Sequence, residues 1–203
     1  PAVTAATGVD ALTHAIEAYT SLKAFSMSDI YAVSAIKRIF DNIYEVYSNG
    51  SNLQARREMA IASLEAGIAF SNASVTIVHG MSRPIGAMFH VPHGLSNAML
   101  LKVCLPYIKP GATARLNHLA KEIGVYRQGM TADEGADAFV VATIALLSTL
   151  NIQTPAEFGI SRDEFFQAIP KMSSDALASG GPGNTRRVPN QEEIEELYRK
   201  LWY

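Results

Sequence analysis

SMSDIYAVSAIKRIFDNIYEVYS, residues 26–48, decides the fold class. Ile30, Val33, Ile36, Phe40, Ile43 and Tyr47 recur at steps of three or four, while Lys37, Arg38, Asp41 and Glu45 fall largely off that stripe. A period near 3.6 residues collects such positions on one face of an α-helix, whereas a half-buried strand needs alternation at every second residue. Asn49 and Gly50 then supply a helix stop. The same spacing recurs along the chain and period-two runs are almost absent, so the expected class is all-α. Further helices are expected over residues 10–21, 52–70, 95–107, 112–123, 132–150, 162–169 and 190–202. Leu53, Ala60, Leu64 and Ile68 form the expected apolar side of the second of these. Asn190, after Pro189, opens the last one as a cap with Glu193 three residues on. Residues 173–189, dense in Gly, Ser and Pro, are expected to form one extended loop.

Composition narrows the function classes. With 203 residues, 48% hydrophobic and 18% charged, the chain suits one globular helical domain over residues 1–203 with a sizeable core. A formal net charge of -2 with interspersed signs offers no basic face for nucleic acid and no polybasic anchor for a membrane, which leaves small molecules or further copies of the chain as partners. The lone cysteine, Cys104, lies in an apolar stretch, so neither a disulfide framework nor a thiolate cluster is available and a reducing, cytoplasmic setting is expected. The longest apolar run, residues 138–150, is too short to span a bilayer and follows Asp133, Glu134 and Asp137. It reads as a core helix. Residues 1–8 are small and uncharged, unlike a secretory leader.

Four of the 5 histidines fall in two short clusters. Asp10 and His14 are four apart, so on a helix they stack one turn apart on one face and can clamp one ion. Capping by the Asp and packing by the His would produce the same pair. Residues 78–94 surround His79, His90 and His93 with Gly80, Gly86, Gly94, Pro84 and Pro92. The glycines permit close approach of chain to ligand or neighbour, and Pro92 fixes the backbone just ahead of His93. A glycine-rich helical hairpin explains the Gly and Pro but has no need of three imidazoles.

Together the clusters, Gly8-Val-Asp10-Ala-Leu-Thr-His14-Ala-Ile-Glu17 followed by His79-Gly-Met and Pro92-His93-Gly94, resemble the iron-containing alcohol dehydrogenase family. The resemblance extends to Asp175-Ala-Leu-Ala-Ser, similar to a late active-site loop, and to Glu192-Glu-Ile-Glu-Glu-Leu-Tyr-Arg-Lys, similar to the last helix. It implies the multi-helix C-terminal metal-binding domain of the dehydroquinate synthase-like/iron alcohol dehydrogenase architecture. Asp10, His14, His79 and His93 then fall on the metal ligands, with Fe(II) favoured and Zn(II) next. The resemblance implies NAD or NADP in an intact enzyme, a small alcohol or aldehyde as substrate, and a metal acting as Lewis acid on the substrate oxygen.

Two departures qualify the resemblance. The Gly-Gly-Gly-Ser pyrophosphate loop of the family's N-terminal α/β domain is absent from the 203 residues, so a missing cofactor domain, an exposed interdomain face, self-association as a homo-oligomer and inactivity of the chain alone are expected. Where many members carry a proton-relaying histidine four residues after the first His of the second cluster, this chain has Arg83. His90 is a candidate substitute, with solvation at the cavity rim as its other reading. Arg83 reads either as surface charge or as partner to an anionic group. Glu17 is a candidate to orient a ligand imidazole or a solvated helix glutamate. Phe70, Met88 and Phe89 read as core with a possible place in the pocket wall, and His118 has no companion ligands. A metal-dependent hydrolase using the same ligands, and a metal-free helical oligomerisation module, are the rival classes.

Overall fold

A computed structural model describes residues 1–202. These residues form nine α-helices: α1 (Ala2–Thr20), α2 (Ser26–Ser48), α3 (Leu53–Ala73), α4 (Ile77–Phe89), α5 (His93–Glu122), α6 (Ala132–Thr149), α7 (Pro155–Phe158), α8 (Arg162–Ala178) and α9 (Gln191–Lys200), with a 3-10 turn at Pro182–Asn184. No named strand occurs among them, and a single bridge pairs Ser21 with Thr185. The all-α expectation holds. Among the described residues no single helix is long and apolar enough to cross a membrane.

The first helix is the hub. It packs on α2, α3, α4 and α5, and Val9, Leu12, Ala15, Ile16 and Ala18 are fully enclosed. It starts eight residues before the expected boundary because its first turns are built of small residues with no amphipathic signature. Gly8 lies so near α2 that a Cβ there would come within 2.8 Å of Ile43.

Small residues also move the buried faces away from the stripes read in the sequence. In α2 the buried positions are Ser28, Ala32, Ala35, Ile36, Ile39, Ile43 and Val46, whereas Ile30 is 67% exposed. In α3 the buried face is Ala55, Ala62, Ala66, Ala69 and Ala73, while Leu53 and Leu64 are 80% and 66% exposed and Ala60 lies at the surface. The expected apolar side of α3 is therefore wrong. Interaxial distance depends on the side chains at the contact, so an alanine seam lets helices approach closely and fills the interface with methyl groups and backbone.

Boundaries differ elsewhere for physical reasons. Residues 95–107 and 112–123 belong to one 30-residue helix that runs through Pro106 and Pro110. Proline normally ends a helix, yet Leu105, Ile108, Ala112 and Leu116 continue one buried stripe across the break. Likewise α8 runs through Pro170 to Ala178 because Phe165, Ile169, Met172 and Ala176 continue its core face, leaving only the end of the expected 173–189 loop irregular. The short α7 has a complete capping box, Thr154 with Glu157, behind Pro155 at its first turn.

The displaced α2 face yields an expected contrast. Ile36→Ala, at a fully enclosed site, should lower unfolding free energy by about 2–5 kcal/mol, whereas Ile30→Ala should stay within about 0.5 kcal/mol of the parent. Urea denaturation of both variants measures the difference, and equal losses would contradict the buried face described here.

Candidate metal centre

Helix α1 carries Asp10 and His14 on adjacent turns of one face, α4 presents His79 in its first turn, and α5 begins with His93. Asp10 Oδ1 lies 3.7 Å from His14 Nδ1, 3.7 Å from His79 Nε2 and 3.8 Å from His93 Nε2. One donor atom from each of the four residues falls within 4.8 Å of all the others. Donors bound to one ion at roughly 2.0–2.2 Å lie no more than about 4.4 Å apart, so side-chain rotations that draw these four slightly together would let them share one ion. One carboxylate with three imidazoles suits Fe(II), Zn(II) and neighbouring divalent ions.

The site is graded from floor to rim. The His79 side chain is 4% exposed and that of His93 52%. His14 stacks on Phe70, with ring centroids 4.3 Å apart, and tilts against His79 at 4.2 Å. Burial, and then the neighbouring His79, lower the His14 pKa to about 4. A neutral His14 is the form a metal ligand must take.

Beneath His79 lies Glu17, a buried carboxylate. Its Oε2 is 2.5 Å from His79 Nδ1, while Oε1 accepts from the Thr76 hydroxyl at 2.7 Å and from the Val78 N–H at 2.6 Å. Thr76 is the N-cap of α4 yet makes no side-chain cap of its own. Glu17 thus caps α4 from another helix, satisfying a free N–H at the positive end of its dipole. Burial alone would push this carboxyl up, but the adjacent imidazole and the hydrogen bonds from His79 and Thr76 outweigh it and hold the group below its ordinary range. An ionised carboxylate can only accept, so His79 carries its proton on Nδ1 and turns the Nε2 lone pair toward Asp10.

Two glycines beside the histidines set the helix approach. A Cβ on Gly94 would lie 2.8 Å from the Ala6 carbonyl oxygen of α1, and one on Gly80 would lie 2.6 Å from Pro182. The first contact brings the start of α5 against the turn of α1 that bears Asp10.

The remaining sequence candidates lie outside the group of four. His90 is exposed at the C-cap of α4 with φ 54, and Val91-Pro92 carries the chain away from it before α5 begins, so the spacing from His90 to His93 does not place both rings in one cluster. Arg83 is exposed on α4, one turn after His79. Of the apolar candidates, Phe70 touches the site through His14, Phe89 packs on Phe165 in the core, and Met88 is exposed. His118 Nδ1 meets the Tyr19 hydroxyl at 2.9 Å. Sequence reading missed Thr76, which no spacing rule links to Glu17, and Asn97, whose signal was its position four residues after His93.

Residues 4–202 match the C-terminal region of the Fe-containing alcohol dehydrogenase family. The chain is 36% identical over 201 residues to a 1,3-propanediol dehydrogenase of Citrobacter freundii, covering 98% of this chain and 51% of that protein. It is 48% identical over 178 residues to long-chain-alcohol dehydrogenase 1 of Geobacillus thermodenitrificans (strain NG80-2), covering 87% of this chain and 44% of that one. The crystal structure of a 1,3-propanediol oxidoreductase superposes with a TM-score of 0.93 at 36% identity, over 99% of this chain and 52% of the other. The chain therefore spans about half the length of the relatives it matches.

Glu17→Gln tests the orienting carboxylate. A carboxamide nitrogen facing His79 would drive the ring to its other tautomer and put a proton where the ligand lone pair belongs. Zn(II) affinity, measured against a competing chelator, is expected to fall about 10–100-fold. Unchanged affinity would remove Glu17 from the account.

Proposed function

This chain belongs to the Fe-containing alcohol dehydrogenase family, and we propose that it is the metal-holding part of an NAD(P)-dependent alcohol dehydrogenase, with Asp10, His14, His79 and His93 as ligands. The observation that carries this reading is the convergence of those four side chains from three helices. A bound Fe(II), or Zn(II) as the alternative, would supply Lewis acidity toward the oxygen of a small alcohol or aldehyde, while a nicotinamide exchanges the hydride.

The protein's part is position and charge. A single carboxylate among three neutral imidazoles neutralises only half the charge of a dication, preserving its pull on an oxygen. Half-buried His14, stacked on Phe70, and buried His79 form a floor, and half-exposed His93 leaves the opposite side open to substrate. Exposed Arg83 is assigned to an anionic group of cofactor or substrate, and exposed His90 to proton exchange with solvent. The nicotinamide must be held by residues outside these 203, which carry no pyrophosphate-binding glycine loop, so the chain alone is inactive as a dehydrogenase. Exposed Met27, Ile30, Leu53 and Leu64 support self-association into a homo-oligomer.

Elemental analysis should find about one equivalent of Fe or Zn per chain and little in Asp10→Ala or His79→Ala. No metal after reconstitution would contradict the reading. Fused to an N-terminal cofactor domain, the chain should support alcohol-dependent reduction of NAD(P); ester or phosphate hydrolysis in its place would favour a hydrolase. In that intact form His90→Ala should flatten the pH dependence of turnover, and an unaltered profile would withdraw the role given to His90.

A further inference from the structure

Asn97 is fully buried on α5, one turn after His93. Its carboxamide nitrogen lies 2.6 Å from Asp10 Oδ1 and 3.1 Å from both His79 Nε2 and His93 Nε2. One polar group thus bridges three of the four candidate ligands. Its own oxygen is buried and has no partner among the described residues.

The chemistry of the three contacts is specific. A carboxamide nitrogen has two hydrogens and no lone pair to offer. Asp10 takes one hydrogen at the shorter distance, and the two imidazole nitrogens share the other. With Glu17 holding a proton on Nδ1, the neutral form of the His79 ring, which is the form a metal ligand takes, has Nε2 as an acceptor. The reverse orientation of the amide would turn its oxygen toward three electron-rich atoms, a repulsive arrangement without a cation. A divalent ion needs the same two imidazole lone pairs that Asn97 occupies. Its demand on Asp10 is different, since a carboxylate oxygen can accept from Asn97 and bind an ion at once.

We propose that Asn97 is a positioning residue of the metal centre whose NH2 group stands in for the cation. It holds Asp10, His79 and His93 at ligand spacing in the metal-free protein, and yields the two imidazole lone pairs when an ion enters while keeping its bond to Asp10. The proposal rests on the metal reading above. It separates this residue from one that only packs, because Asn97 supports the metal-free state more than the loaded state and therefore competes with the ion.

The test uses the 203-residue chain stripped by chelator and titrated with Zn(II), comparing unaltered protein with Asn97→Ala. The variant is expected to melt at lower temperature without metal, to differ less once loaded, and to bind Zn(II) about 3–10-fold more tightly, the size of one competing hydrogen bond. Unchanged or weaker binding, with both melting temperatures falling together, would overturn the proposal alone. Failure of the unaltered chain to bind Zn(II) would overturn the metal reading and this proposal with it. Should Asn97→Ala not fold, the unaltered chain still decides. In asparagine-labelled protein the Asn97 side-chain amide resonances, assigned through their contacts to the His79 and His93 rings, should shift on Zn(II) addition. Resonances that stay in place would overturn the proposal.

Discussion

The Glu17 carboxylate is the contact on which the site depends. It is buried on the hub helix, and its two oxygens meet the cap residue of α4, a free N–H of that helix and the ring of His79. Removing an ionised group from water is expensive unless hydrogen bonds compensate, and three donors do so here. The same bonds fix the start of α4 relative to α1 and select the tautomer of His79. Fold and chemistry are therefore joined at one side chain: whatever displaces Glu17 displaces both a helix and a ligand lone pair.

The other two donor sets follow from how α1 meets its neighbours. Asp10 and His14 need only the repeat of their own helix. His93 needs the start of α5 to lie against α1, and Gly94 permits that because no side chain intervenes at the Ala6 carbonyl. A scaffold of close helix contacts through alanine and glycine thus brings the four donor atoms within 4.8 Å of one another, and the bonds from Glu17 and Asn97 set their finer positions.

Much of this was legible in the sequence, though unevenly. The all-α class and most helices follow from apolar spacing, and the Asp10–His14 pair from an interval of four. His79 and His93 were legible as residue types with glycine and proline around them, and the resemblance grouped them with Asp10. What failed was the inference from large apolar residues to buried faces: α3 buries alanines and exposes Leu53 and Leu64, because close packing selects for size as well as hydrophobicity. The expected helices over 112–123 and 162–169 stop short of Pro110 and Pro170, yet both prolines, like Pro84 and Pro106, lie inside helices whose packed faces continue beyond them. Thr76 escaped notice because its partner Glu17 is distant in the chain, and Asn97 because its residue type is ordinary and two of its three partners, Asp10 and His79, are remote in sequence.

The central claim is that four side chains from three helices hold one divalent ion. Anomalous diffraction from crystals of the chain loaded with Zn(II), collected on both sides of the metal edge, tests it most directly. The account predicts one dominant peak within bonding distance of Asp10, His14, His79 and His93. A fully loaded crystal with no peak there, or with its metal held by other residues, would contradict it.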